Sequence, residues 1–383
     1  MLNKNINATF SITAYDKQTQ EWGIAVATNN IYVGNSTIYI QPGLGAFSVI
    51  AETQPSYAIN GFEQLKLGKT IKEAIEYSFQ NDSEQYLRQV AGIGPNGEVY
   101  AFTGASLKYW KGKAAHITGN SFVVIGNQLT DSTLTAMATA YQHANGTLAQ
   151  RLLASLLAGQ KAGGQITGKQ SAALVVKGKD NEWFNQIDLR IDDSPAPFED
   201  LQRLLAYHYG RIKLNQAIYA LKAGNTVEGK IKLQEAIPMI KGWSGIYSKV
   251  AMAQLLSGDK EAAALTILHA IQLNPQWKEN LPAFYCLATM PSLKSYFQVT
   301  SFTEKDWCSA IQLLLEINKA NEAISLAQQQ LKTYPSSSYI YYLLGKAWSA
   351  KGDISKARTL YTTAISLDTE NKEAVQALAI VPK

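Results

Sequence analysis

The sequence predicts an α+β domain built in four layers, αββα, followed by an all-α domain of repeated helix pairs. Three observations predict it. Up to about residue 205, short β-like runs and turns alternate with helical stretches, and beyond it nearly every segment reads as helix. The order in the first part is strands, two helices, strands, two helices, strands, which suits two sheets stacked face to face with helices outside. In the second part landmark residues recur: Gly224 and Gly258, Ala323 and Ala357, Pro335 and Thr369 each stand 34 positions apart. The boundaries that follow are 1–205 for the layered domain and 206–383 for the helical one. A chain of 383 residues, 46% hydrophobic and 17% charged, has enough apolar side chains for a core in each.

The first strand, "ATFSITAYD", alternates Thr9, Ser11, Thr13 and Tyr15 with Phe10, Ile12 and Ala14. A polar turn leads into "WGIAVATN" and completes a hairpin. One face of this second strand carries Gly23, Ala25 and Ala27, small enough for close packing beside a cleft. "STIYIQ" and "GAFSVIAET", joined by "PGL", are the next strands. No charged residue occurs from Trp22 to Ala51, yet Asn29-Asn30, Gly34-Asn35 and Pro42-Gly43 interrupt the apolar runs, so buried strands rather than a membrane span are expected. "YAINGFEQLKLG" and "TIKEAIEYSFQND" read as helices. "RQVAGIG" and "VYAFTG" form a hairpin around Asn96-Gly97. "SFVVIGN" is a strand, "TDSTLTAMATAYQHA" and "TLAQRLLASLLAG" are helices, and "SAALVVK" and "NQIDLRID" close the domain as strands.

The second part divides into units near 210–243, 244–277, 304–337 and 338–371. The last, "SYIYYLLGKAWSAKGDISKARTLYTTAISLDTE", carries Leu344, Gly345, Trp348, Gly352, Ala357, Tyr361 and Ala364. This resembles the tetratricopeptide (TPR) pattern, in which small residues let paired helices approach and large ones fill the space between repeats. The match weakens in 210–243, where Gly229 holds the small-residue position, and "WKENLPAFYCLATMPSLKSYFQVTSF" breaks the period as an irregular insert. "NKEAVQALAI" reads as a closing helix. A TPR-like solenoid offers a concave groove to a protein or peptide partner. The alternatives are a plain helical spacer and a device that holds copies of the chain together as a homo-oligomer.

Composition excludes several function classes. The net charge of +5 is spread without a Lys/Arg block, so neither nucleic acid nor an anionic membrane is an expected partner. Two cysteines, Cys286 and Cys308, without a CxxC spacing exclude a disulfide framework and a zinc ribbon and suit a reducing, cytoplasmic compartment. His116, His143, His208 and His269 are scattered, so no metal site and no cofactor are expected. "MLNKNINATF" lacks the apolar core of a secretory signal.

The stretches "TFSITAYD", "GIAVAT", "GLGAFSVIAETQPSY", "RQVAGI", "FTGA", "IGNQL", "LAQRLLASLLAG", "GKQSAALVV" and "IDLRIDD" together resemble the Ntn-hydrolase-like domain of unknown function 1028. The resemblance runs from about Thr9 to His208 and implies an Ntn-hydrolase-like αββα sandwich. It also implies a hydrolase of a small amide or peptide-like bond, with the first residue of the mature chain as nucleophile. In such an enzyme the threonine hydroxyl attacks an acyl carbon while its own α-amine, titrating near ~8, takes the proton. Thr9 is the matching residue, so removal of the eight residues before it is required, by self-cleavage or by a peptidase. The alternative is an ordinary strand residue in a repurposed domain. Where the family carries Gly-Gly-Asp followed by arginines and a glycine, this chain has Gly163-Gly164-Gln165-Ile166-Thr167-Gly168, and Ile125 replaces the glutamine that precedes Gly-Asn.

Further candidates follow from residue type and position. Asn127, in "IGN", is an amide that could face a developing oxyanion, or a turn residue. Arg88 offers a planar fork to a substrate carboxylate or to a structural acid. Asp188, Arg190 and Asp192 alternate onto one strand face, at a cleft or at an exposed edge. Ser171 could orient a substrate or be a buried small hydroxyl, and Glu52, beside Thr53, is a site carboxylate or a strand cap.

Overall fold

The computed structural model describes residues 8–179, 186–298 and 301–381. The chain falls into two compact units, Met1–Leu205 and Ala206–Lys383.

The first unit holds two antiparallel sheets. The larger contains β1 (Thr9–Asp16), β2 (Glu21–Thr28), β7 (Lys113–Gly119), β8 (Phe122–Leu129), β9 (Ser171–Gly178) and β10 (Ile187–Ile191), in the order β10-β9-β2-β1-β8-β7. The smaller contains β3 (Ile38–Gln41), β4 (Gly45–Ala51), β5 (Arg88–Ile93) and β6 (Val99–Thr103), in chain order. A single helical turn, α1 (Gly34–Thr37), precedes β3. Helices α2 (Ser56–Lys66) and α3 (Ile71–Glu76) cover the outside of the smaller sheet; α4 (Thr133–His143) and α5 (Leu148–Lys161) cover the larger. Thr70 and Thr147 start α3 and α5 with reciprocal capping boxes, as their Thr-x-x-Glu/Gln spacing requires. The layers are therefore helix, sheet, sheet, helix.

Strand alternation decides what each face meets. Tyr15, Trp22, Ile24, Ala46, Ile50, Ala91, Ile93, Val123 and Ile125 fill the space between the sheets. Ser11 and Ser48 bridge that space, hydroxyl to hydroxyl at 2.8 Å. Phe10 faces the other way and stacks on Phe198, ring centroids 6.1 Å apart. The small face of β2 does not border a cleft as its residues suggested. A Cβ on Gly23 would lie 2.4 Å from Leu152 Cδ1, so the small residues seat α5 against the sheet. Strand β7 was not legible in the sequence, because "KAAHITG" is an edge strand whose side chains are exposed or half-buried and carry no apolar alternation.

The last helix begun in the first unit, α6 (Pro197–Lys222), continues into the second. Helix pairs follow: α7 (Thr226–Met239), α8 (Tyr247–Leu256) with α9 (Lys260–Leu273), α11 (Glu304–Glu316) with α12 (Ala320–Gln330), and α13 (Ser338–Ala350) with α14 (Ile354–Leu367). The expected irregular insert is a run of 3-10 turns over Pro275–Leu287 and helix α10 (Pro291–Gln298), and α15 (Lys372–Ile380) closes the chain. The small positions act as expected: a Cβ on Gly345 would lie 2.5 Å from the Tyr361 ring, and one on Gly229 2.5 Å from Leu221. Among the described residues no helix is long and apolar enough to cross a membrane.

Candidate functional site

One end of the larger sheet carries a cross-strand row of polar residues. Thr9 pairs with Asn127 on β8 and with Thr28 on β2, and Thr28 pairs with Ser171 on β9. Residues directly opposite share a face, so all four side chains point toward the inter-sheet layer. All four are buried, and Thr9 is 6% exposed. Sequence alternation alone put Thr9 on this face; the hairpin register brings Thr28 beside it.

The hydroxyl protons can be placed by elimination. Thr28 Oγ1 donates to the carbonyl of Ala8 at 2.7 Å, since a carbonyl only accepts. Its contact with Thr9 Oγ1, at 3.1 Å, is then a bond in which Thr9 donates. The Ala8 oxygen receives two more donors: the backbone N–H of Asn29 at 3.3 Å and Gln165 Nε2. The acyl oxygen of the peptide bond that precedes Thr9 is thus held by three donors.

Asn127 presents the opposite polarity. Gln89, fully buried on β5, aims Nε2 at the carbonyls of Gly126 and Ala115, each at 3.0 Å, and at Thr103 Oγ1 at 3.1 Å. Only the NH2 end of the amide can face two carbonyls, so Oε1 faces Asn127 and accepts from its Nδ2 at 3.2 Å. Asn127 Oδ1 is left buried without a hydrogen-bond partner. Asn127 therefore keeps a buried acceptor without a partner, while one of the two N–H groups of its Nδ2 is held by Gln89. Gln128 follows with φ +53°, buried and with neither amide atom partnered, and Ser171 Oγ and Gln165 Oε1 are likewise unpartnered. Unpartnered buried polar atoms are uncommon, and several of them collect around this row.

The other predicted residues lie elsewhere. Arg88 neighbours Gln89 and so points to the opposite face, where Nε and Nη2 bind Asp82 at 2.8 and 3.1 Å, Nη2 reaches Glu84 and Nη1 donates to the Glu52 carbonyl. Tyr57 donates a further hydrogen bond to Asp82. The Arg88 guanidinium, ahead of the Tyr57 bond, holds the Asp82 carboxyl below its usual range. Arg88 is thus engaged by a structural acid, remote from Thr9. Glu52 follows β4, whose last residue Ala51 has φ +68°, and its backbone closes onto Leu87 and Arg88. Asp188 and Arg190 share a face with Thr28 but stand on the edge strand β10, paired to each other at 2.7 Å. Two strands separate them from β1, about 14 Å at normal strand spacing. With Asp192, Arg190 borders a cavity of about 340 Å³ that also takes in Tyr32 and Asn35.

Thr28, Asn29, Gln89 and Gln165 were not singled out by sequence. Alternation could have flagged Gln89, a polar residue opposite Arg88 in a buried strand; nothing local marks Gln165, which reaches Ala8 from a loop. Cys286 and Cys308 lie in the helical unit, and burial pushes both thiols up to about 11, so neither is a ready nucleophile. Among the described residues, no group of three His, Cys, Asp or Glu side chains could hold a metal ion.

Comparison with solved structures finds protein SPO2555 from Silicibacter pomeroyi at 30% identity, covering 52% of this chain and 84% of that one, with a TM-score of 0.48. It also finds MamA from Desulfovibrio magneticus RS-1 (18% identity, 45% and 82% covered, TM-score 0.21). The TPR domain of P58(IPK) is similar at 14% identity, with 44% and 54% covered and a TM-score of 0.22. No curated protein matches the chain. Residues 9–201 match the family of unknown function DUF1028, and the chain belongs to that family.

Proposed function

We propose that the front unit is an N-terminal-nucleophile hydrolase of a small amide or peptide-like bond, with Thr9 as nucleophile after cleavage between Ala8 and Thr9. The observation that carries this reading is the grip of Thr28, Asn29 and Gln165 on the Ala8 carbonyl oxygen. In the uncut chain the Thr9 nitrogen is an amide and cannot serve as a base. Its hydroxyl already donates toward Thr28, which donates to the Ala8 oxygen. Addition of Thr9 Oγ1 to the Ala8 carbonyl carbon would move charge onto the oxygen that three donors hold. Breaking the C–N bond, with the proton passing to the Thr9 nitrogen, leaves an ester that water hydrolyses. The products are the Ala8 carboxylate, a free Thr9 hydroxyl and a free α-amine, and a peptidase cut would leave the same terminus. The amine then acts as the base that activates the hydroxyl toward a substrate amide. Thr9→Ala should abolish amide hydrolysis while leaving the fold intact; hydrolysis that survives the substitution rejects the reading.

A second reading has the front unit as an inactive scaffold and the repeats as the working part. It is favoured by an apolar cavity of about 440 Å³ between α7, α8 and α9, lined among others by Ile237, Tyr247, Val250 and Leu265. A protein or peptide partner bound through the repeats would then be unaffected by Thr9→Ala and weakened by Leu265→Asp.

A further inference from the structure

The donors that hold the Ala8 oxygen and the acceptor on the other flank of Thr9 have the polarity of an amide. Thr28 and Asn29 approach from the β2 side, where their hydrogens meet an acyl oxygen. Asn127, opposite Thr9 in the register, approaches from the β8 side, where its Oδ1 is buried without a hydrogen-bond partner. Ala8, wholly buried, supplies the acyl group in the uncut chain, with a single methyl as its side chain.

We infer that the place of the Ala8 carbonyl is the acyl subsite of the released enzyme: Thr28 Oγ1, the Asn29 N–H and Gln165 Nε2 take the substrate's acyl oxygen, Asn127 Oδ1 accepts from the departing amine, and the preferred acyl group is of N-acyl-alanyl size. This deepens the hydrolase reading and rests on it. The reason is that one hydroxyl, fixed at the start of a strand, reaches both acyl carbons from one direction, so both oxygens fall among the same donors. In the substrate reaction the Thr9 amine takes the hydroxyl proton as the Oγ1–C bond forms and the carbonyl electron pair moves onto oxygen. Collapse breaks the C–N bond, and the Thr9 ammonium returns the proton to the leaving amine. Water, deprotonated by the same amine, then hydrolyses the ester to the N-acyl-alanine acid and restores Thr9.

The test expresses the whole chain without a tag, reads the first residue of the purified protein from its mass, and offers N-acetyl-L-alanine p-nitroanilide and N-acetyl-L-phenylalanine p-nitroanilide as substrates. The alanyl amide should turn over with a kcat/KM about tenfold or more above that of the phenylalanyl amide. Thr28→Val should lower it by about 10²–10³, as for loss of one oxyanion donor, and Thr28→Ser should restore most of it. A measurement on the wild type alone avoids any folding defect: the acid N-acetyl-Ile-Asn-Ala should inhibit competitively, and its Phe-terminated counterpart at least about tenfold more weakly. A Thr9-initiated enzyme that hydrolyses both amides equally, or is indifferent to Thr28→Val, overturns the subsite while the hydrolase reading stands. A chain that keeps residues 1–8 and turns over neither amide overturns both.

Discussion

Replacing Gln89 by Glu changes one NH2 group to an oxygen at constant shape, in a side chain that is fully buried. The group replaced faces two backbone carbonyls at 3.0 Å and Thr103 Oγ1 at 3.1 Å. A carboxylate there would set negative charge against two backbone carbonyls in a fully buried place, with only Asn127 and the Thr103 hydroxyl as donors in reach, so burial favours the protonated form of the introduced carboxyl in the folded unit. Its folded pKa is then raised above the unfolded value of about 4.3. The folded state binds the extra proton across that window, so stability falls as pH rises from about 4.3, by ~1.4 kcal/mol per pH unit, until the raised pKa is passed. Buried carboxyls reach pKa values of about 8–9, so the cost at pH 7 amounts to about 3–4 kcal/mol, against ~1 kcal/mol at pH 4.5 for the hydrogen bonds lost. Amide hydrogen exchange of peptides spanning β5 and β8, compared with wild type at each pH, reads this directly. Opening should be about 10²–10³ faster in the variant at pH 7 and within about tenfold at pH 4.5. Equal protection of the two proteins at both values would refute the orientation of Gln89, and with it the assignment of Asn127 as an acceptor.

Other outcomes follow from the same contacts. Asp82→Ala leaves the Arg88 guanidinium, 8% exposed, with only Glu84 and the Glu52 carbonyl, and should cost about 1.5–3 kcal/mol in urea unfolding without altering amide turnover per folded molecule. Because Arg88 depresses the Asp82 carboxyl, wild type should keep this contribution above pH ~4 and lose it as pH falls through the depressed value, a loss absent in Asp82→Ala. Gly23→Val pushes a branched side chain into Leu152 and Val176 and should destabilise the front unit by about 1–3 kcal/mol by the same measure. Burial lowers the pKa of His116 and, together with Arg211, that of His208, so the unfolded chain binds more protons below about pH 6.5. Stability should fall with acidification there, and His208→Gln should flatten the part of that slope that belongs to the helical unit.

The layered fold was legible because burial imposes its periods on the chain. The alternation of β1 and β2, the Asn96-Gly97 turn and the 34-residue recurrence are local patterns, and each marks a real element. What escaped reading is set by pairing across the chain. Strand β7 is held by its neighbour rather than by its own composition. The roles of Arg88 and Gln89 differ only in which face each occupies, and their partners, Asp82 and Gly126, stand on opposite sides of the sheet. Asn127 is a candidate by its place in "IGN", yet which atom of its amide is left without a partner depends on three acceptors around Gln89, which no local pattern shows. Gln165, which stands where the resemblance leads one to expect an aspartate, is a donor to Ala8 from a loop more than 150 residues away.

Whether Thr9 is an N-terminal nucleophile is decided by the intact mass and N-terminal sequence of the protein purified from its own host without an N-terminal tag. The mature chain should begin at Thr9, its hydroxyl and α-amine both free. A mature chain that retains Ala8 and the residues before it would rule out Thr9 as an N-terminal nucleophile, because its nitrogen would remain an amide.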